Sequence, residues 1–200
     1  MSVRLLCLRH GESENVVAGA SGALPSAELT ERGRAQAASA APGLRGISRV
    51  YASSAVRARQ TGEIIARALG LGDVAVLSGL VEVGIGRFEG AKDASVRTRT
   101  AEVLRSWVVD GELGQAVGDG EDGHAVTGRV AGSLSAIAVA NPGRTVAVVG
   151  HVASLTTGLS SLCGLGGRVW GAPLPYAVPF LVEWDGRSWH CAAWPGECPV

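Results

Sequence analysis

The chain has little lysine, no net charge and no paired cysteine motif. Lys92 stands alone against seventeen arginines, a bias that fits a GC-rich genome and carries no chemistry. The 18 basic side chains are matched by 18 acidic ones, so the formal net charge is zero. A protein that grips nucleic acid or an anionic membrane usually keeps a positive balance, so neither is expected as a partner. Cys7, Cys163, Cys191 and Cys198 show no CxxC spacing and no accompanying histidine pattern. A zinc site and a disulfide framework are therefore set aside, no metal or other cofactor is expected, and a cytoplasmic location fits. The opening MSVRLLCLRHG reaches charge after a short apolar run, so it is read as neither a signal peptide nor a membrane span. Internal repeats, long linkers and low-complexity tracts are also lacking.

What is present is an ordinary globular composition, 46% hydrophobic and 18% charged. At 200 residues the chain suits one domain, 1–200, with a sizeable core. Val3 to Leu8 reads as a buried strand stopped by a polar RHGE run. Thr30 is a fitting N-cap for a helix to about Ala41, which Pro42-Gly43 ends. A short strand at Val50-Tyr51 leads to Ser53-Ser54, then to a helix from about Ala55 to Leu69, stopped by Gly70. Val74 to Leu77 predicts a third strand, followed by a glycine-rich loop through Gly90.

The next helix shows Val96, Val103, Leu104, Trp107 and Val108 on one face. Asp110 to Gly123, acidic and glycine-rich, predicts a loop rather than core, and residues 90–123 together predict a short lid. Val126, Val130, Leu134 and Ile137 repeat at helical spacing, and Thr145 to Gly150 is a clear buried strand ending at His151. Val152, Leu155, Leu159 and Leu162 line the helix after it. Asp185-Gly186 signals a type I′ turn in a C-terminal hairpin. The alternation predicts an α/β three-layer sandwich: a mainly parallel sheet, helices on both faces and that hairpin.

Ligands of such folds bind outside the carboxyl ends of the strands. After the first strand come Arg9 and His10; after the second, Ser53, Ser54 and Arg57; after the third, Glu82; after the fourth, His151. Two guanidiniums, two imidazoles and a carboxylate converge there, a set that suits a phosphate dianion. Guanidiniums pair with phosphate oxygens through parallel hydrogen bonds and stay charged. A neutral imidazole whose other nitrogen is held protonated can attack phosphorus. A second, protonated imidazole would stabilise the transferring group, and a carboxylic acid would protonate the leaving oxygen.

The motifs carrying these residues resemble the histidine phosphatase superfamily, the phosphoglycerate mutase-like or "RHG" proteins, over nearly the whole chain. They run in order: LRHGE at 8–12, LTERGRAQA at 29–37, YASSAVRARQT at 51–61, LVEVGIGRFEG at 80–90, GDGED with a later arginine at 118–129, and TVAVVGH at 145–151. The resemblance implies that His10 is the nucleophile and forms a phosphohistidine. Arg9, Arg57 and His151 would hold the phosphoryl group, Glu82 would donate the proton, and Ser13 would touch a phosphate oxygen, with no metal or cofactor. The family's usual asparagine falls at Val16, whereas this chain has Asn15, a further expected phosphate contact. The glycine common after the second histidine is Val152 here. Asp122 replaces a serine and puts a negative charge where substrate choice is expected to feel it.

The implied activity is metal-independent hydrolysis of a small-molecule phosphomonoester. A cofactor-dependent mutase that returns the phosphoryl group to a second hydroxyl, and a non-catalytic phosphate-binding module, stay open beside it. A homodimer is also open. His124 and His190 are assigned structural or surface roles, and the five tryptophans packing roles. Glu12, Arg87, Arg97, Arg99 and Phe88 are within reach of a substrate but equally suited to solvated or packing roles. Trp170 to Pro179 reads as an apolar, rigid wall, predicting a leaving group other than bare glycerate.

Overall fold

The computed structural model describes residues 1–195, so Cys198 lies outside the described residues. In chain order the elements are β1 (Val3–Arg9), α1 (Glu14–Val17), α2 (Glu31–Ala40), β2 (Val50–Ser53), α3 (Val56–Ala68) and β3 (Ala75–Leu77). Then come α4 (Ala94–Arg105), α5 (Gly123–Ala140), β4 (Thr145–Gly150), α6 (Val152–Cys163), β5 (Phe180–Trp184) and β6 (Trp189–Cys191). The strands form one sheet in the order β3-β2-β4-β1-β5-β6. The first four are mutually parallel, and the last two run antiparallel as a terminal hairpin. Among the described residues, no helix is long and apolar enough to cross a membrane.

Strand alternation splits the core into two layers, as a sheet covered on both faces requires. Val3, Leu5, Cys7, Val146 and Val148 point to one face, where Val130, Leu134, Leu155 and Leu159 of α5 and α6 cover them. Leu8, Ala147, Val149, Val50 and Ala52 meet Ala40, Ala58 and Ile65 of α2 and α3 on the other. The three-layer α/β sandwich is the observed fold. Burial pushes the Cys7 thiol far above its usual pKa, so it acts as a core apolar group.

Most predicted boundaries hold within two residues. Thr30 caps α2, its hydroxyl accepting the Gly33 N–H at 3.0 Å. Pro42 does not stop the chain turning; Ala41–Leu44 continues as a 3₁₀ turn with the proline in its first positions, where no N–H is needed. The hairpin turn differs from expectation. Trp184 pairs with Trp189, and Asp185 N–H donates to the Ser188 carbonyl, so the tight turn falls on Gly186-Arg187. Only Gly186 has positive φ (102°), whereas type I′ needs it at both central residues. The Asp185 carboxylate instead accepts the N–H groups of Arg187 and Ser188.

The segment 111–122 also differs. It carries core, because Val117 is fully buried with Val83, Ile85, Val96, Val103, Trp107 and Val126 in a third apolar cluster. Glu121 then fastens it. Its carboxylate accepts the Gly84 N–H and pairs with Arg129, while its own N–H donates to the Gly84 carbonyl. Burial alone would raise the Glu121 pKa, but the bonds from Arg129 and Gly84 outweigh it and hold it below the usual carboxylate value.

The turn after β1 is seated on α2 through two glycines. A Cβ on Gly33 would lie 1.9 Å from the Glu12 carbonyl oxygen, and one on Gly11 would lie 2.3 Å from the Gly33 oxygen. Both neighbours are backbone and cannot swing away. Gly33→Ala should therefore lower stability by about 2–3 kcal/mol and the melting temperature by roughly 5–10 °C. A thermal-unfolding curve superimposable on wild type would show that the contact yields freely.

Candidate active site

Register alone brings the two histidines together. Arg9 pairs with Gly150 across β1 and β4, and His10 N–H donates to the Gly150 carbonyl at 3.0 Å. His10 and His151, one residue past each strand, then stand with ring centroids 5.0 Å apart. His10 is 3% exposed, and His151 is fully buried at the back.

The tautomer of His10 follows from its neighbours. Its Nδ1 lies 2.6 Å from the Gly11 carbonyl oxygen, which can only accept, so Nδ1 carries the proton. The lone pair is then on Nε2, where the Arg57 Nε–H donates to it at 3.2 Å. Burial first, then the nearby Arg57 charge, lowers the His10 pKa to about 3, so the ring is neutral at physiological pH. His151 is also pushed well below the ordinary value, by burial and then by His10, Arg57, Arg129 and Arg9. Its Nε2 meets the Ser53 hydroxyl at 2.8 Å, while its Nδ1 is buried without a partner.

Arg57 is 1% exposed and has its whole fork engaged. Besides His10 it donates through Nη1 to the Leu24 carbonyl and through Nη2 to the Ala23 carbonyl, each at 2.8 Å. Leu24 adopts φ 36°, a left-handed conformation uncommon for leucine, at the residue whose oxygen meets the guanidinium. Arg9 lies with its guanidinium carbon 4.0 Å from the centre of the Tyr176 ring and donates through Nη1 to the Leu174 carbonyl. Its Nε is buried and has no hydrogen-bond partner among the described residues. Unpaired donors on Arg9 and cationic surroundings make this cleft ready for an anion.

Glu82 sits at the start of α6. Oε1 accepts the N–H groups of Val83 (2.9 Å) and Ser154 (2.8 Å), and Oε2 accepts that of Ala153 (3.1 Å). Oε1 thus has both lone pairs engaged, and Oε2 keeps one free. Arg129 holds the segment in place, donating to the carbonyls of Gly79, Val81 and Glu82.

Arg9, His10, Arg57, Glu82 and Asn15 line one cleft of about 290 Å³. Ser13 does not line it: the residue is fully buried, and its hydroxyl donates to Asn15 Oδ1 at 2.7 Å. Ser13 therefore reaches the cleft only through Asn15. Asp122 is not on the wall either. It caps α5, accepting the Ala125 N–H at 2.8 Å, and this is where its charge is used.

Of the residues left open, Arg97 reaches the cleft wall. Glu12 is held by the Thr30 hydroxyl and Arg32, Arg99 pairs with Glu102, and Phe88 packs in the third apolar cluster. His190 bonds Asp185 at the hairpin, and His124 is exposed on α5. The expected lid contributes only through α4, whose Arg97, Thr100, Ala101 and Leu104 form one wall. The Ala23 and Leu24 carbonyls were not foreseeable, because backbone acceptors leave no residue-type signal.

Neutral buried imidazoles give the protein a pH signature. In the unfolded chain both would titrate near 6.5, so protonation below that value favours unfolding. Stability should fall as pH drops from about 6.5 toward the folded His10 value near 3, starting before carboxylates titrate. Urea midpoints measured between pH 7 and 5 should show this, with a shallower slope in His10→Asn. A flat wild-type profile would contradict the assigned charge states.

Parallel strand ends that gather two guanidiniums and two imidazoles define an α/β protein with a cleft built for an anion. The chain belongs to the histidine phosphatase superfamily (branch 1), whose sequence profile matches residues 5–195. A bifunctional protein of Mycobacterium tuberculosis, Rv2228c, is 37% identical over 152 residues, covering 74% of this chain and 41% of that protein. The chain thus spans less than half the length of the curated relatives it matches. A mycobacterial glucosyl-3-phosphoglycerate phosphatase, Rv2419c, in complex with VO3 superposes with a TM-score of 0.77 at 26% identity, over 96% of this chain and 98% of its own. The alpha-ribazole phosphatase of Shigella flexneri shares the fold, with a TM-score of 0.76 at 20% identity over 100% of this chain and 98% of its own.

Proposed function

We propose that this protein hydrolyses a small-molecule phosphomonoester through a phosphohistidine on His10. The observation that carries the reading is the His10 tautomer: Nδ1–H fixed on the Gly11 carbonyl, Nε2 unprotonated, with Arg57 against it. In the first step the Nε2 lone pair forms a bond to phosphorus and the bond to the leaving oxygen breaks. Glu82 Oε2 delivers its proton to that oxygen. The Arg57 Nε–H exchanges its bond to Nε2 for one to a phosphoryl oxygen, so the donor follows the developing charge. Arg9 Nε and His151 Nδ1 supply the unpartnered donors, the latter once the bound dianion favours its protonated form. In the second step water attacks phosphorus, Glu82 takes its proton, and the N–P bond breaks to release inorganic phosphate and neutral His10.

The phosphatases among the similar structures support hydrolysis over transfer to a second hydroxyl. The test is a phosphate-release screen over phosphomonoesters, run with a chelator and with His10→Ala as control. Release that survives chelation and vanishes in the variant is expected. Isomerisation of 3-phosphoglycerate without phosphate release would favour a mutase, and equal release by the variant would end the proposal.

A further inference from the structure

Beside the phosphate cleft lies a second one of about 320 Å³. The two share four lining residues, Ala101 and Leu104 of α4 and Val152 and Ala153 of α6, so they adjoin. Beyond those shared residues the second cleft is lined by Val108, Val169, Trp170 and Pro173. Among the described residues no charged side chain lines it, and its only side-chain hydroxyls belong to Thr156 and Thr157. Thr156 Oγ1 is already spent on the Val152 carbonyl at 2.6 Å. Trp170 is 38% exposed and lines this cleft.

From this adjacency and the apolar lining we infer that the second cleft is the leaving-group subsite, and that the preferred substrate is a phosphomonoester of an alcohol carrying an apolar alkyl or aryl portion. The inference rests on the phosphatase reading and adds to it the class of substrate. A dianion cannot desolvate into this annexe, whereas a hydrocarbon attached through the ester oxygen can lie over the shared Ala101, Leu104, Val152 and Ala153 rim while its phosphoryl group stays on Arg9 and Arg57. Binding energy from that remote portion then assists the reacting centre, so it appears in kcat/KM.

The experiment is a series of straight-chain alkyl phosphates from methyl to octyl, with glycerol phosphate as the polar control, using the full chain. In wild type kcat/KM should rise by roughly three- to fivefold per methylene until the cleft is filled. Thr156→Trp, which fills the annexe from α6 without touching the phosphate cleft, should flatten that rise and leave methyl phosphate and glycerol phosphate within about twofold of wild type. Trp170→Asp, a change at a surface position, should flatten it from the opposite wall and keeps the test standing if the first variant does not fold. Turnover that is independent of chain length in wild type, or a rise unchanged in the folded variants, would overturn this inference and leave the phosphatase reading intact. Absence of His10-dependent release from every ester would overturn both.

Discussion

His10→Ala is expected to lose at least about 10⁴-fold in kcat, because the nucleophile and the first covalent step vanish together. Other catalytic devices cannot compensate for it. In the proposed mechanism Arg9, Arg57 and His151 would stabilise charge on a phosphoryl group, but they would provide no lone pair in their charged, donating forms. Inorganic phosphate or vanadate should still bind, since those donors remain. Loss of turnover with retained anion binding, followed by thermal stabilisation with added vanadate, is the expected pattern. A His10→Ala protein that turns over within tenfold of wild type would show that another atom attacks phosphorus.

Arg57→Ala is expected to cost about 10³-fold in kcat/KM and most of the phosphate-induced thermal shift. The guanidinium donates from each of its three nitrogens: to His10, Leu24 and Ala23. Its removal deletes the donor nearest the nucleophile and leaves two carbonyls of the 23–24 segment unpaired. Arg57→Lys should recover little, because a single ammonium cannot reach three acceptors spread over a planar fork. Burial lowers the Arg57 pKa first, and the Glu82 and Glu89 charges work against that, so the cation is held at a site that disfavours it. Rescue by lysine to near wild-type kcat/KM would show that charge alone, and not the fork, is what the site uses.

How much of this was legible in the sequence depended on residue type and on neighbours. Short apolar runs ending in Arg9-His10 and in His151 were sufficient to place both imidazoles at strand ends. Parallel pairing of β1 with β4 does the rest, since equal offsets past paired residues put the rings side by side. Arg57 was placed because it opens the helix after Ser53. What escaped was set by backbone or by packing of distant segments. The carbonyls of Ala23 and Leu24 depend on a left-handed leucine that no composition rule marks. The segment 111–122 looked solvated because its glycines and acids outnumber its apolar residues, yet Val117 and Glu121 bind it to the Glu82 loop. Asp122 looked like a charge beside the site because its spacing in the motif says nothing of direction; its side chain turns to the end of α5. The direction of the Ser13 hydroxyl, turned inward on Asn15, was hidden for the same reason.

The most direct test traps the intermediate. Wild-type protein mixed with a reactive phosphomonoester is quenched in alkali, which preserves a phosphoramidate, and its intact mass and phosphorylated peptide are determined. One phosphoryl group on the peptide containing His10, lost on brief acid treatment and absent from His10→Ala, is the predicted result. Steady hydrolysis with no phosphorylated chain at any quench time, or a phosphoryl group on another residue, would contradict attack by the His10 imidazole.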